Sequence, residues 1–346
     1  MNSNMKPGGQ TSGKPTPKVA VIILYWNGEK LLREFLPSVI RHTPKSVGRV
    51  IVADNGSTDG SIALLQKEFQ DVELLIFPEN YGFAEGYNRA IAHYADSYPY
   101  SVLLNSDVAV DSDWLTPLYR YMESHPETGA CQPKILSYRE RGKFEYAGAS
   151  GGFIDRYGYP YCRGRIFSTL EEDKGQYDSE MEIDWATGAA LMVCNRVYLE
   201  TGGLDREFFA HMEEIDLCWR IRLAGWKIAV VPKSHVYHLG GGSLDALNPR
   251  KTYLNFRNNL LMLHKNLPEE DRGRLLFRRR LLDTLAWAKF MATLKFGHAN
   301  AILRAHRDFR RMRRNYSCHP RENLLRGKLN ILTSYYLRGR KRFCEL

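Results

Sequence analysis

Val50-Ile51-Val52-Ala53-Asp54-Asn55-Gly56-Ser57-Thr58-Asp59-Gly60 reads as a buried strand delivered straight into a polar turn. Ile62, Leu65 and Phe69 then recur at the spacing of a short helix. Turn and capping chemistry accounts for the composition, since Asn-Gly makes a tight turn and Ser57, Thr58 or Asp59 can cap the helix. A carboxylate just past a strand end, Asp54, can equally accept a hydrogen bond from a nucleobase imino N–H. Upstream, the apolar run Val19–Tyr25 meets the turn candidate Asn27-Gly28, and Leu31, Leu32, Phe35, Leu36, Val39 and Ile40 share one helix face. Downstream come a strand over Val72–Phe77, a helix within Ala84–Tyr94, and a strand Val102–Leu104 stopped by Asn105-Ser106-Asp107. Strand and helix alternating with short connections predict an α/β fold, a parallel sheet covered on both faces. Such sheets bind ligands at the carboxyl ends of their strands. Asn27, Asp54 with Asp59, Asn80 with Asn88, and Asp107 all follow strands, so one crevice is predicted to gather them.

Further along, Gly142–Trp185 is rich in Gly and Tyr with little periodicity, which predicts loop or short hairpin lying over that crevice. A second organised stretch runs from Ala186 to Ser243. Asp107, leaving a buried strand, suits a hard divalent ion gripping a diphosphate, or else a cap for a helix beginning near Asp113. Glu213-Glu214-Ile215-Asp216 opens a helix that Gly225 ends, and the helix dipole alone favours acids there. The two adjacent glutamates beside Phe208-Phe209 also suit a general base at a crevice rim. Asp216 and Arg220 are spaced to pair along the helix. His235-Val236-Tyr237-His238 reads as a strand running into three glycines, which let backbone approach a ligand closely.

The chain has 346 residues, 44% hydrophobic and 25% charged, which excludes disordered and fibrous classes. No run approaches the ~18 apolar residues of a membrane span, and the polar leader 1–17 lacks a signal-peptide core. Six cysteines at 131, 162, 194, 218, 318 and 344 show no metal or disulfide spacing, so reduced thiols and a cytoplasmic location are expected. Residues 250–346 hold 24 Lys+Arg against 7 Asp+Glu, a balance of +17, whereas residues 1–249 balance at −7. A basic tail points to an anionic surface or to a solvated helical face.

Eight motifs then occur in order: V-x-I-L-x-W-N-G (21–28), V-A-D-N-G-S-T-D-G (52–60), N-Y-G-F-A-E-G-Y-N-R-A (80–90), L-L-N-S-D-V (103–108), T-G-A-A-L-M-V (187–193), G-G-L-D-R-E-F-F (202–209), E-E-I-D-L-C-W-R-I-R-L-A-G-W (213–226) and H-L-G-G-G-S (238–243). Together, over about 19–245, they resemble the family 2 glycosyltransferases of the bacterial rhamnosyltransferase-like branch. The resemblance implies the GT-A nucleotide-diphospho-sugar transferase fold, a mostly parallel Rossmann-like sheet flanked by helices. The catalytic domain is then 18–249, with a basic helical C-terminal extension over 250–346.

It further implies an inverting transfer from a dTDP-, UDP- or GDP-linked sugar (rhamnose or a related hexose) to a glycan or lipid-linked acceptor hydroxyl in cell-surface polysaccharide synthesis. Asp54 would recognise the pyrimidine. Asn27, Asn55, Ser57, Gly82, Phe83, Ala84, Asn88, Asn105, Gly188 and Ala189 would border the nucleotide sugar. Asp107 and His238 would hold Mg²⁺ or Mn²⁺, and Glu214 or Glu213 would be the base. The chain departs from the family where Glu-Asp is replaced by Glu213-Glu214 and D-x-D is reduced to Asn105-Ser106-Asp107.

Two rival classes are a nucleotidyltransferase, whose triphosphate loop Tyr25–Glu29 would poorly supply, and a non-catalytic nucleotide-sugar-binding protein. No nucleic-acid reading motif is present. In the tail, Arg278–Arg280 and Arg310–Arg314 bracket Leu281–Phe296, whose charges Asp283, Lys289 and Lys295 fall about 120° apart on a helical wheel. The stretch is therefore not expected to be cleanly amphipathic or to insert deeply. Peripheral attachment to an anionic inner membrane face through the arginines is expected instead.

Overall fold

A computed structural model describes residues 17–240, 248–316, 320 and 322–346. Strand β1 (Val19–Tyr25), buried along its whole length, lies at the centre. It pairs in parallel with β2 (Gly48–Asp54) on one side and β4 (Tyr100–Asn105) on the other. This register sets Tyr25 beside Asp54 and Leu24 beside Asn105, so the polar strand ends share one level. β3 (Glu73–Ile76) adds to β2 as the parallel edge.

Beyond β4 the sheet turns mixed. β12 (Ala190–Cys194) runs antiparallel between β4 and β6 (Thr128–Ser137), and the long β13 (Lys227–His238) lies parallel to β6. β5 (Val108–Ala109) and β11 (Met181–Glu182) both pair antiparallel with β13.

Helices cover both faces because alternate strand residues point to opposite sides. Val19, Val21 and Ile23 join the core under α1 (Glu29–His42), α2 (Ser61–Glu68) and α4 (Leu115–Ser124). Ala20, Ile22 and Leu24 face α3 (Gly82–Tyr94), α5 (Asn195–Glu200) and α6 (Glu213–Leu223).

The segment expected to be loop or hairpin is more ordered than that. β7 (Gly152–Ile154), β8 (Pro160–Cys162), β9 (Arg165–Ile166) and β10 (Thr169–Leu170) form a four-stranded antiparallel sheet. Strands of two or three residues are too short to show an alternation in sequence.

The C-terminal region is helical, as expected, over most of 249–312. α7 (Pro249–Asn266) is buried on several sides, including Arg257, Asn258, Asn259 and Asn266. α8 (Glu269–Ala292) and α9 (Phe296–Met312) follow. Residues 322–346 are largely irregular, with one π-helical turn at Thr333–Leu337. They pack on the small sheet: Arg156 N–H donates to Leu329 O, Ile331 N–H donates to Asp155 Oδ2, and the Phe343 ring lies 5.1 Å from that of Phe153. The change at residue 249 is one of composition, because packing runs across it.

Candidate functional site

The two loops after β1 and β2 latch together. Asn27, with φ +49°, donates from its backbone N–H to Ser57 Oγ, while its side-chain oxygen accepts from Thr58 N–H at 2.8 Å. Both Asp54 oxygens accept from Ser57 N–H at 3.2 Å, and Asp54 has no exposed surface. The strand-end carboxylate therefore anchors the turn and does not line the crevice. Its neighbour Asn55 does, donating to Asn80 Oδ1 and Gly82 O and accepting from Tyr81 N–H. Gly56, at φ +73°, carries this turn so close to Glu79 that a Cβ would sit 2.5 Å from its carbonyl carbon.

A crevice of about 1640 Å³ opens at these strand ends. Tyr25, Trp26, Asn55, Gly82 and Phe83 line it together with Asn105, Gly188, Ala189, Glu213, Glu214 and His238. Asn27, Asp54, Ser57 and Ala84 stand behind this surface. Asn88, expected to border the nucleotide, instead ties α3 to the turn before α6. It donates to Leu204 O and accepts from Leu204 N–H and the Tyr198 hydroxyl. Its oxygen accepts twice inside the protein, and one of its N–H groups is held by Leu204 O.

Pairing of β5 with the end of β13 brings His238 against the Asn105–Asp107 turn. His238 Nε2 lies 3.1 Å from Asp107 Oδ1, and its Nδ1 lies 3.2 Å from Glu145 Oε2. Burial would push this imidazole down, but the Asp107 and Glu145 carboxylates outweigh burial and raise it to about 10.

Two donors about 3 Å apart match adjacent ligands on one cation with bonds of ~2.0–2.2 Å. A carboxylate oxygen beside an imidazole suits Mn²⁺ or Mg²⁺, and Glu145 behind the ring has the place of an outer-shell carboxylate that orients a histidine ligand. Among the described residues no group of three or more His, Cys, Asp or Glu is arranged to hold a metal ion. The protein then offers two ligands, and diphosphate oxygens and water would complete the set, as is usual for Mg²⁺. Of the glycine turn, Gly241, Gly242 and Ser243 lie outside the described residues, as does Cys318.

The approach to α6 is strained. Phe209, His211 and Met212 have φ of +66°, +69° and +73°, three non-glycine residues in the left-handed region within four positions. Such strain persists only where surrounding structure enforces it. α7 supplies that enforcement: Asn258 Nδ2 donates to the carbonyls of Phe208, Ala210 and His211, and Arg257 donates to those of Glu207 and Phe208.

Glu213 and Glu214 follow directly, each with a buried Oε2 that has no hydrogen-bond partner. Burial pushes Glu214 up to about 7, and burial together with the Glu214 charge holds Glu213 well above the ordinary carboxylate range. A Cβ built on Gly188 would lie 3.6 Å from the Phe83 ring and 3.8 Å from Glu214, so these three residues meet. Asp216 is separate from this chemistry: it is fully buried, bonded to Arg220, Lys265 and Asn266 at 2.7–2.9 Å.

The crevice also takes in residues the sequence did not single out. Glu145, Tyr146, Phe167 and Ser168 come from the small-sheet segment, and Arg250, Lys251, Thr252 and Asn255 from α7. Only their positions in the folded chain mark them.

Residues 20–181 match the family model for glycosyl transferase family 2. The chain is 27% identical to the N-acetylglucosaminyl-diphospho-decaprenol L-rhamnosyltransferase of Mycobacterium tuberculosis over 239 residues, 64% of this chain and 76% of that protein. It is 26% identical to the rhamnosyltransferase WbbL of Escherichia coli over 165 residues, 46% of this chain and 61% of that one. Among solved structures, the mannosyltransferase PcManGT from Pyrobaculum calidifontis, in complex with GDP-Man and Mn²⁺, aligns over 89% of this chain and 88% of its own, with TM-score 0.52 and 16% identity. GalNAc-T7 with UDP, GalNAc and Mn²⁺ aligns over 73% of this chain and 48% of its own, with TM-score 0.56 and 15% identity. The fold is GT-A. Residues 20–181 are thus similar to the family 2 glycosyltransferases, and the chain is rhamnosyltransferase-like. It is an enzyme that transfers sugar from a nucleotide sugar, and neither rival class is favoured.

Proposed function

We propose that this enzyme is an inverting transferase carrying rhamnose or a related hexose from a nucleoside diphosphate to a hydroxyl of a glycan or lipid-linked acceptor, in cell-surface polysaccharide synthesis. The observation that carries the reading is the pair of unpartnered glutamate oxygens in the crevice that His238 also lines. Glu214 takes the acceptor proton, since it is less buried than Glu213 and stands against Gly188 and Phe83. The acceptor oxygen then attacks the anomeric carbon as the nucleoside diphosphate departs. Asp107 and His238 hold a divalent cation, which stabilises charge on the leaving diphosphate. The nucleotide lies along Asn55, Gly82 and Phe83, with exposed Trp26 offering a stacking face.

The diphospho-decaprenol in the name of the Mycobacterium tuberculosis relative supports an enzyme working at the cytoplasmic membrane face. A thermal-shift panel of dTDP-, UDP- and GDP-sugars with Mg²⁺ or Mn²⁺ tests this, because a bound donor raises Tm. One nucleotide class is expected to stabilise the protein in a cation-dependent way, and Asp107→Ala is expected to abolish the cation dependence. No shift with any donor overturns the reading.

A further inference from the structure

Large apolar side chains are exposed in a cluster on the C-terminal helices: Phe277, Leu281 and Leu285 on α8, Leu294 and Phe296 at the α8–α9 turn, and Leu303 on α9. Positions 277, 281 and 285 are four apart and form one line along the helix, pointing to the turn. Leu294 in the turn is 74% exposed, and it takes a left-handed φ of +59° that usually falls to glycine. Nothing in the fold rewards a leucine there.

Of the charges that broke the helical wheel, Lys289 is exposed one step beyond Leu285 and ends the ridge, while the other two lie off it. Asp283 and Arg279 are both buried, paired with each other at 3.4 Å, and His306 reaches Asp283 at 3.0 Å. Lys295 lies beyond the end of α8. What remains exposed is an apolar strip flanked by Arg274, Arg278, Arg280 and Lys289, with Arg304, Arg307, Arg310 and Arg311 on α9.

Charge selects the occupant. Between 277 and 314 the two acids are Asp283, internal, and Asp308, paired with Arg307 at 3.0 Å and Tyr253 at 2.9 Å. A second copy would set arginine against arginine. Nucleic acid would meet the arginines but leave the leucines uncovered. An anionic bilayer satisfies both, and no helix among the described residues is long and apolar enough to span one.

The ridge is also next to the site. Gly297 lies against Pro249, and His298 Nδ1 is 2.8 Å from the Thr252 hydroxyl; Arg250, Lys251 and Thr252 line the crevice.

We propose that the α8–α9 hairpin is a membrane-docking wedge. Its apolar ridge enters the interface of an anionic leaflet, its arginines hold lipid phosphates, and its tip sets the crevice mouth where a lipid-linked acceptor emerges. This deepens the membrane contact proposed above and rests on it.

The test is vesicle co-sedimentation of the full chain with phosphatidylcholine alone or mixed with phosphatidylglycerol, at about 0.1 M and about 1 M salt, where charges are screened beyond ~10 and ~3 Å. Wild type is expected to pellet with anionic vesicles at low salt and to keep a salt-resistant fraction. Leu294→Asn with Phe296→Ser, both tolerated at exposed positions, should lose that fraction and bind at least about tenfold more weakly, the scale for two large apolar side chains. Equal pelleting of the variant and wild type at both salts overturns the wedge, as does wild type remaining in the supernatant. So does sedimentation equilibrium showing a wild-type dimer that the substitutions dissociate. The donor-induced Tm shift keeps the two readings apart: its persistence in a wild type that fails to bind vesicles removes the wedge and leaves the transferase, and its persistence in the variant shows that lost vesicle binding is not lost folding.

Discussion

Glu214 sits where two requirements conflict. A general base must be ionised, yet burial raises this carboxyl to about 7. Turnover is expected to rise with pH to a plateau with a midpoint near that value, and Glu214→Gln should lower it roughly 10²-fold or more while donor binding persists. A donor-binding curve beside a pH–rate profile checks both. Stability should run the other way. The folded group binds more protons than the unfolded one between its ordinary pKa of ~4.3 and its raised one, so stability falls as pH rises through that window. Glu214→Gln should therefore be the more stable protein at alkaline pH, with the difference vanishing in acid; melting curves across pH decide it.

Gly188 gives a second residue-scale prediction. A Cβ there meets Phe83 and Glu214 at ordinary contact distances, so Gly188→Ala should fold with Tm nearly unchanged. Its methyl would stand between donor wall and base, and kcat/KM is expected to drop at least about tenfold, the cost of a small misplacement of reacting groups. At this scale the sequence could nominate polar residues after strands but not their direction. Asp54 and Asn88 carry the right chemistry and turn it inward, and only the hydrogen-bond partners reveal that.

Among the elements, those with long apolar periods were legible. The β1, β2 and β4 runs and the α1 face follow directly from their residues, because a continuous apolar run or a helical stripe has few other packings. The small sheet β7–β10 was not, since its strands are too short to show alternation. α8 misled for a different reason: a helical wheel treats every charge as solvated, whereas Asp283 and Arg279 neutralise each other inside.

The polar residues of α7 also shape the site. Asn258 holds three carbonyls of the left-handed segment before α6, and truncating it takes this donor from Ala210 O and His211 O while Phe208 O keeps Arg257. Asn258→Ala is expected to cost about 1–3 kcal/mol of stability. It should also lower kcat more than donor affinity, because the relaxed loop no longer aims Glu214. Denaturant unfolding together with donor titration separates the two effects; unchanged kcat with lost stability would make Asn258 purely structural.

Across the whole molecule, the chain's end closes its middle. Residues 322–346 contribute Ile331 and Phe343 to the packing of the small sheet, and Tyr336 to the crevice wall. They also satisfy buried acids: Ile331 N–H donates to Asp155, and Lys328 pairs with Asp184. Asp184 would keep Arg222, at 2.8 Å, whereas Asp155 would lose the Ile331 N–H. Deleting 322–346 should therefore expose Tyr161 and Ile166 and destabilise the small sheet more than the central one. Hydrogen exchange is expected to rise first over 152–170, with 19–54 still protected, because local opening follows local packing. The donor-induced Tm shift should survive, since Asn55, Asp107 and Glu214 stand on the central sheet and α6. Uniform exchange across both regions would instead mean that the two sheets unfold as one cooperative unit, with the C-terminal segment supporting the whole fold.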